Sequence, residues 1–192
     1  MSRYFYISVL FLFSVLQASC ALSPQQITIK PDITVPVAPY GRGQEINVTV
    51  EDQRSSPVIG TRGGVYGDTS TIEIGNDHKT EIAYAVANGL TRWNFRPQVN
   101  SSVTDAIQFT LAVTELSYVP DRTVGGKVAM KAAVSVEVKH GGRSYRGNYS
   151  ANGELVYVTV PTSKRNNAEI NKIMNLALQK MFDDQGLIKF LQ

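Results

Sequence analysis

The residue with the sharpest chemistry is Cys20, the single cysteine of a 192-residue chain. A thiolate is the nucleophile that thioether formation requires, and a lone cysteine has no internal disulfide to form. Ala18 and Ser19 stand directly before it, small enough to leave the peptide bond open to a peptidase. Other candidates are sparse. Asp52 and Arg54 lie two residues apart where a strand runs into a long loop. They suit a pair that contacts a partner, and equally an ion pair that fixes a turn. His78 and His140 are the two histidines. Neither has a cysteine or carboxylate at metal-ligand spacing, so both read as solvated, and no metal or other cofactor is expected. Asp77 and Glu81 lie one helical turn apart, a spacing that suits acid–base work; acids are favoured at helix N-termini in any case. The glycine-rich stretch 60–67 lacks the Gly-Lys-Ser/Thr of a phosphate loop. No Gly-x-Ser-x-Gly elbow is present. Nothing here makes an enzyme, and none is expected.

The residues before Cys20 explain its setting. Arg3 supplies a positive start, and residues 4–16 form an apolar run without a charge. This is the layout of a secretory signal peptide over residues 1–19. A membrane-spanning helix needs about 20 apolar residues, more than this run offers. Two other outcomes stay open. Cleavage after a small-x-small pattern at Ser19-Cys20-Ala21 would discard the cysteine, and an uncleaved leader would serve as an anchor. The net charge of +3 comes from scattered residues, apart from Lys164-Arg165. A nucleic-acid partner needs a clustered basic face, so none is expected.

The elements that must position these groups follow from periodicity. Residues 20–43 carry Pro24, Pro31, Pro36 and Pro39 and read as a lipidated cysteine with a proline-rich tether. Ile27, Ile29, Ile33 and Val35 alternate, so part of it could lie along a sheet edge. Residues 44–192 make one domain. Alternation predicts a strand at 44–52, with Ile46, Val48 and Val50 inward. A loop follows over 54–75, with a short extended piece at 71–74. A helix at 77–95 carries Ile82, Val86, Leu90 and Trp93 on one face, and Pro97 ends it. Long strands are predicted at 105–118, 126–140 and 143–158. The first has a bulge near Glu115, and a Gly141-Gly142 hairpin joins the last two. A second helix spans about 166–183, stopped by Gly186, after which Leu187, Ile188, Phe190 and Leu191 dock back. The expected fold is an α+β two-layer sandwich: a four-stranded mixed sheet in the order β-α-β-β-β-α, with two helices on one face. The other face, with Thr49, Thr110, Ser135, Asn148 and Ser150, stays open to solvent.

Leu16-Gln17-Ala18-Ser19-Cys20 resembles the lipobox of bacterial lipoproteins, and the chain as a whole resembles the YajG family of such lipoproteins. The residues that carry the second resemblance are Cys20, the strand into Asp52-Gln53-Arg54, the first helix, the strands around Gly141 and Tyr145 to Tyr149, and the second helix with Ile188-Lys189-Phe190. The resemblance implies a diacylglycerol on the Cys20 sulfur and a membrane partner through that lipid. It implies no activity. Ala21, where inner-membrane lipoproteins carry Asp, is similar to the outer-membrane sorting pattern. The expectation is a periplasm-facing, non-enzymatic accessory protein with an envelope protein or the cell wall as partner. The alternatives are a peptidoglycan- or lipopolysaccharide-interacting protein or enzyme that uses the 54–75 loop, and a homo-oligomer paired through sheet edges; the oligomeric state is left open.

Overall fold

The structure, a computed structural model, describes residues 23–63, 69–101, 103, 105–121 and 126–192. Cys20, the signal peptide, and part of the 60–67 stretch lie outside the described residues.

Three long antiparallel strands form the frame: β6 (Ile107–Asp121), β7 (Lys127–His140) and β8 (Arg143–Val156). Each alternates, so one face carries Val, Ile, Leu, Phe and Met and the other carries small or polar residues. Gly141 and Gly142 take positive φ of 56° and 76° in the β7–β8 turn, as a tight two-residue hairpin requires. The register shift between Val113 and Glu115 is the expected bulge, with Thr114 as the extra residue.

β6 is longer than any one neighbour on its other edge, and two strands share that edge. β2 (Glu45–Asp52) runs parallel to it from Ile46 opposite Ile107 to Asp52 opposite Val113. Past the bulge, β3 (Val58–Thr61) takes over, with Gly60 opposite Tyr118. β5 (Arg96–Val99) extends the sheet beyond β2, and β4 (Thr71–Ile74) and then β1 (Gln25–Ile27) extend it beyond β3. The sheet therefore has eight strands, not four. The extra four are three or four residues long: β4 is the extended piece expected at 71–74 and β1 falls at the start of the stretch expected along a sheet edge, whereas β3 and β5 are too short for alternation to mark them. Pro97 does not itself end the helix, which stops at Arg92 with Asn94 turned into the left-handed region at φ 64°; it sits inside β5, an edge strand where a missing N–H is tolerated. Gly60 is needed where β3 meets β6. A Cβ there would stand 1.8 Å from the Tyr118 carbonyl oxygen. Gly60→Ala is expected to lower stability by about 1–3 kcal/mol, the range for overpacking, as read from the urea midpoint.

Both long helices pack on the apolar face. α1 (His78–Arg92) buries Ile82, Val86 and Leu90, and its N-cap is Asp77, whose side chain accepts from the Thr80 N–H. That carboxylate is a helix cap, not half of an acid–base pair. α2 (Ser163–Phe182) buries Ile170, Ile173, Met174, Ala177 and Met181, and Thr162 caps it. Trp93, after α1, and Phe182, at the end of α2, meet edge to face at 5.0 Å between ring centroids. Gly186 does not simply stop α2. It lies in the first turn of a third helix, α3 (Gln185–Leu191), whose Leu187, Ile188 and Leu191 are buried.

The proline-rich stretch is not a free tether over its described part. Ile27, Ile29 and Val35 are fully buried, and β1 joins the sheet beside β4. The alternation of apolar residues outweighs the prolines, because burying two isoleucines and a valine offsets the cost of ordering the strap.

Candidate functional site

Asp52 ends β2 and Arg54 follows two residues later, in a turn that brings the guanidinium back over its own strand. Arg54 Nε and Nη2 donate to the two Asp52 carboxylate oxygens at 2.9 and 2.8 Å, and the Arg54 backbone N–H donates to Oδ1 at 3.2 Å. His78, at the start of α1, places Nε2 2.9 Å from Asp52 Oδ2. The Arg54 side chain is only 6% exposed, and its Nη1 has no partner among the described residues. Burial works against the Asp52 charge, but hydrogen bonds from the Arg54 side chain and backbone, with the charges of Arg54 and His78, outweigh it and hold the carboxyl below its ordinary value.

Sequence reading paired Asp52 with Arg54 but read His78 as solvated. Its ring is 14% exposed and bound. No local spacing signals this contact, since 26 residues, with β3 and β4 among them, separate His78 from Asp52. A cavity of about 340 Å³ adjoins the cluster, lined by Asp52, Arg54, Ser55, Ser56, Asn76 and His78. Its chemistry is limited. Both Asp52 oxygens are engaged, and no hydroxyl among the described residues makes a hydrogen bond to the His78 ring. The triad works as a strut between β2 and α1. His140 stands apart at the β7–β8 hairpin. No three His, Cys, Asp or Glu side chains gather at metal-binding distance among the described residues.

The second feature is the sheet face opposite the helices. Thr49, Thr110, Ser135 and Asn148 share this face in two adjacent rows: Thr49 pairs Thr110, which faces Glu137, and Ser135 pairs Asn148 and faces Ala112. An open groove of about 540 Å³ crosses this face, bounded by Glu51, Gln53, Glu137, Lys139 and Arg146. Arg146 reaches Glu137 at 2.7 Å, and Lys139 reaches it at 3.1 Å. Hydrogen bonds from Arg146, then Lys139, hold the Glu137 carboxyl below its ordinary value. One end of the face is covered: Asn47 is buried and donates to the Val103 carbonyl at 2.6 Å.

A third cluster is structural. Tyr145 and Tyr149 of β8 both donate to Asp184, the N-cap of α3, with Tyr149 at 2.6 Å. Burial disfavours the Asp184 charge, yet the two phenols and the Gly186 and Leu187 N–H groups hold its pKa below 3.8. A depressed carboxylate contributes stability that is present above its unfolded pKa and lost as pH falls through the folded value. Wild type is therefore expected to lose stability as pH drops below about 4, and Asp184→Asn to show a shallower acid slope in urea titrations.

A family model described as an uncharacterized lipoprotein, Lipoprotein_16, matches residues 31–192. The chain belongs to this lipoprotein family. The resemblance to the YajG family is thereby borne out, and with it goes the coarse location of a lipoprotein, the cell envelope. No curated protein matches the chain in sequence. Protein XCC0632 of Xanthomonas campestris, of the DUF330 family, superposes with a TM-score of 0.53 at 8% identity, over 88% of this chain and 97% of that one. At that identity the likeness shows the fold alone. Two lipoprotein structures are more distant. A minor lipoprotein of Acinetobacter baumannii has TM-score 0.34 at 14% identity over 77% and 88% of the two chains. Lipoprotein GNA1162 of Neisseria meningitidis has TM-score 0.36 at 11% identity over 69% and 99%. The α+β class expected from the sequence stands; the strand count does not.

Proposed function

We propose that this lipoprotein is a non-enzymatic accessory component, anchored in the outer membrane by lipid on Cys20, that binds an envelope partner with its open sheet face. The observation that carries this reading is the face itself. Three strands of 14 or 15 residues present a polar surface with no covering layer among the described residues. Small side chains at Thr110, Ala112 and Ser135 let another surface approach the sheet closely, while Glu137, Lys139 and Arg146 offer both signs of charge at its edge. Ala21 after Cys20 supports the outer-membrane address.

Photocrosslinking in cells tests it. A benzophenone amino acid at Thr110, Ser135 or Asn148 should give one specific adduct, absent when placed at Lys172 on the outside of α2. No adduct at any of the three would refute the face. A second reading has one observation in its favour, the cavity beside Asp52, Arg54 and His78. In that reading the 54–75 segment engages peptidoglycan or lipopolysaccharide. Incubation with purified sacculi separates the two: neither co-sedimentation nor product release would remove the second.

A further inference from the structure

We propose that one end of the domain is a membrane-apposed surface: exposed valines of residues 119 and 156–160, ringed by Lys164, Arg165 and Arg62, lie against the anionic headgroup layer of the bilayer. The proposal rests on the reading that Cys20 carries the lipid, and it adds which face meets the membrane.

The chain enters the domain at this end. Ser23 is the first described residue, and its carbonyl accepts from Arg62 Nη1 at 2.9 Å. β1 then runs beside the start of α2. The Ser163 hydroxyl donates to the Gln26 carbonyl at 3.5 Å, and the Gln25 and Asn166 amides are 2.8 Å apart. Three residue steps separate Cys20 from Ser23, a reach of about 11 Å at full extension. The lipid can therefore enter a bilayer only close to this end. No slack comes from further along, because residues 28–32 are pinned to α2 through Asn167, Asn171 and Asn175.

Apolar and basic side chains gather at the same end. β6 ends, β7 begins and β8 ends at the same end of the sheet, with Asp121 opposite Lys127 and Lys127 opposite Val156. Val158 is fully exposed, and Val119 and Val156 are about 60% exposed. With Val160 they are four of the eight exposed large hydrophobic residues among those described. Arg165 Nη2 reaches the Val156 carbonyl at 3.4 Å, which fixes the basic start of α2 beside the valines. Arg62, Lys127, Lys164 and Arg165 outnumber Asp121 and Glu154 among the described residues of this end, with Lys127 3.9 Å from Glu154, so the end is net basic. Apolar tips with flanking cations match the boundary between acyl chains and anionic headgroups.

The orientation has a consequence for the sheet face. β7 and β8 run from this end to the Gly141-Gly142 hairpin, about 45 Å away at 3.3 Å per residue. The polar face therefore stands along the membrane normal and reaches into the periplasm.

Hydrogen exchange on vesicles tests the surface. Cys20 is the only thiol, so the chain from Cys20 onward is coupled to maleimide-bearing lipid in phosphatidylethanolamine–phosphatidylglycerol vesicles. The same chain, thiol-capped and free in solution, is the reference. Exchange over 117–121 and 156–165 is expected to slow about tenfold on the vesicle, with 140–144 unchanged. Val158→Asp with Val160→Asp, both at exposed positions, should abolish the slowing while the chain stays coupled. Equal exchange in coupled and free chains, or protection at the hairpin instead, would overturn the proposal. Palmitate labelling of wild type and Cys20→Ala in cells scores the anchor separately. Absence of label there would overturn the lipid reading, a result the chemical coupling does not mimic.

Discussion

Asp52→Ala is expected to lower the stability of the domain by about 3–5 kcal/mol, the range for removing one partner of a buried ion pair. The side chain it strands is Arg54, 6% exposed and bonded to Asp52 through both Nε and Nη2. A guanidinium stays charged across the accessible pH range, so it cannot escape by losing its proton. Nη1 already lacks a partner among the described residues, which leaves the group nothing to fall back on. His78 would lose its partner too, and β2 its tie to α1. The double change Asp52→Ala with Arg54→Met should recover most of the loss, because it removes the charge with its counter-charge and keeps the side-chain volume. Urea midpoints of the two variants decide the matter. A loss below about 1 kcal/mol in Asp52→Ala would mean that Arg54 swings out to water, and that the pair is a surface feature available to a ligand. A large loss with recovery in the double variant identifies a strut. Because the Asp52 carboxyl is held low, its contribution is present above the ordinary carboxylate pKa of 3.8 and declines as pH falls through the lower folded value.

The same cluster shows what was legible in the sequence. Two residues apart on one strand end, Asp52 and Arg54 are local, and local spacing is what a sequence displays directly. His78 is 26 residues from Asp52, and only the packing of α1 against β2 brings it there. The frame followed the same logic. β2, β6, β7 and β8 announce themselves by long alternation, and the bulge at Thr114 by a break in phase. The parallel pairing of β2 with β6 follows from the helix between them. β1, β3, β4 and β5 are three or four residues each and owe their strand character to the neighbours that hydrogen-bond them. β3, with β4 and β1 beyond it, depends on β6 outrunning β2 and leaving eight residues, Thr114 to Asp121, on that side of the sheet, a length mismatch that no local window contains. For the proposed binding face the outcome is mixed. Its residues were predictable from strand phase, whereas its covered end depends on Asn47 meeting the backbone at Val103.

The N-terminal strap is where composition misled most, and it carries the second large effect. Four prolines argued for a spacer, yet the segment is held by a ladder of side-chain amides. Asn167, Asn171 and Asn175 accept from the N–H groups of Thr28, Lys30 and Asp32 at 2.6, 2.7 and 3.0 Å. Asn171 also donates to the Thr28 carbonyl at 2.8 Å. The match is geometric. Four residues of helix rise about 6.0 Å, and two residues of extended chain span about 6.6 Å. Asparagines every fourth residue therefore meet every second N–H of a strand laid along the helix. On the other side Ile29 exchanges two hydrogen bonds with the Asn76 side chain, at 2.9 and 2.8 Å. Residues 28–32 thus obtain strand-like pairing without a neighbouring strand.

Replacing all three asparagines of α2 by alanine is expected to free the strap while leaving the rest of the domain folded. Four hydrogen bonds at about 1 kcal/mol each are lost. Global stability should change by less than that sum, because alanine is a better helix former than asparagine by about 0.6 kcal/mol at each position. The urea midpoint is therefore the wrong measurement. Hydrogen exchange isolates the effect: amides of residues 28–32 should exchange about 100-fold faster, while those of β7 keep their protection. Ile29, buried in the native domain, would then open to water part of the time, and limited proteolysis should cut between it and Val35. Unchanged exchange would show that burial of Ile29 and Val35 alone holds the strap. The ladder does not set the distance from lipid to domain. β1 lies upstream of the ladder and keeps its own ties to β4, Arg62 and the start of α2, so the leash from Cys20 ends at Ser23 in the triple variant as well. The triple variant, coupled to vesicles through Cys20, should therefore keep the slowed exchange at 156–165 while its strap exchanges fast, which separates the order of the strap from the seating of that surface on the bilayer.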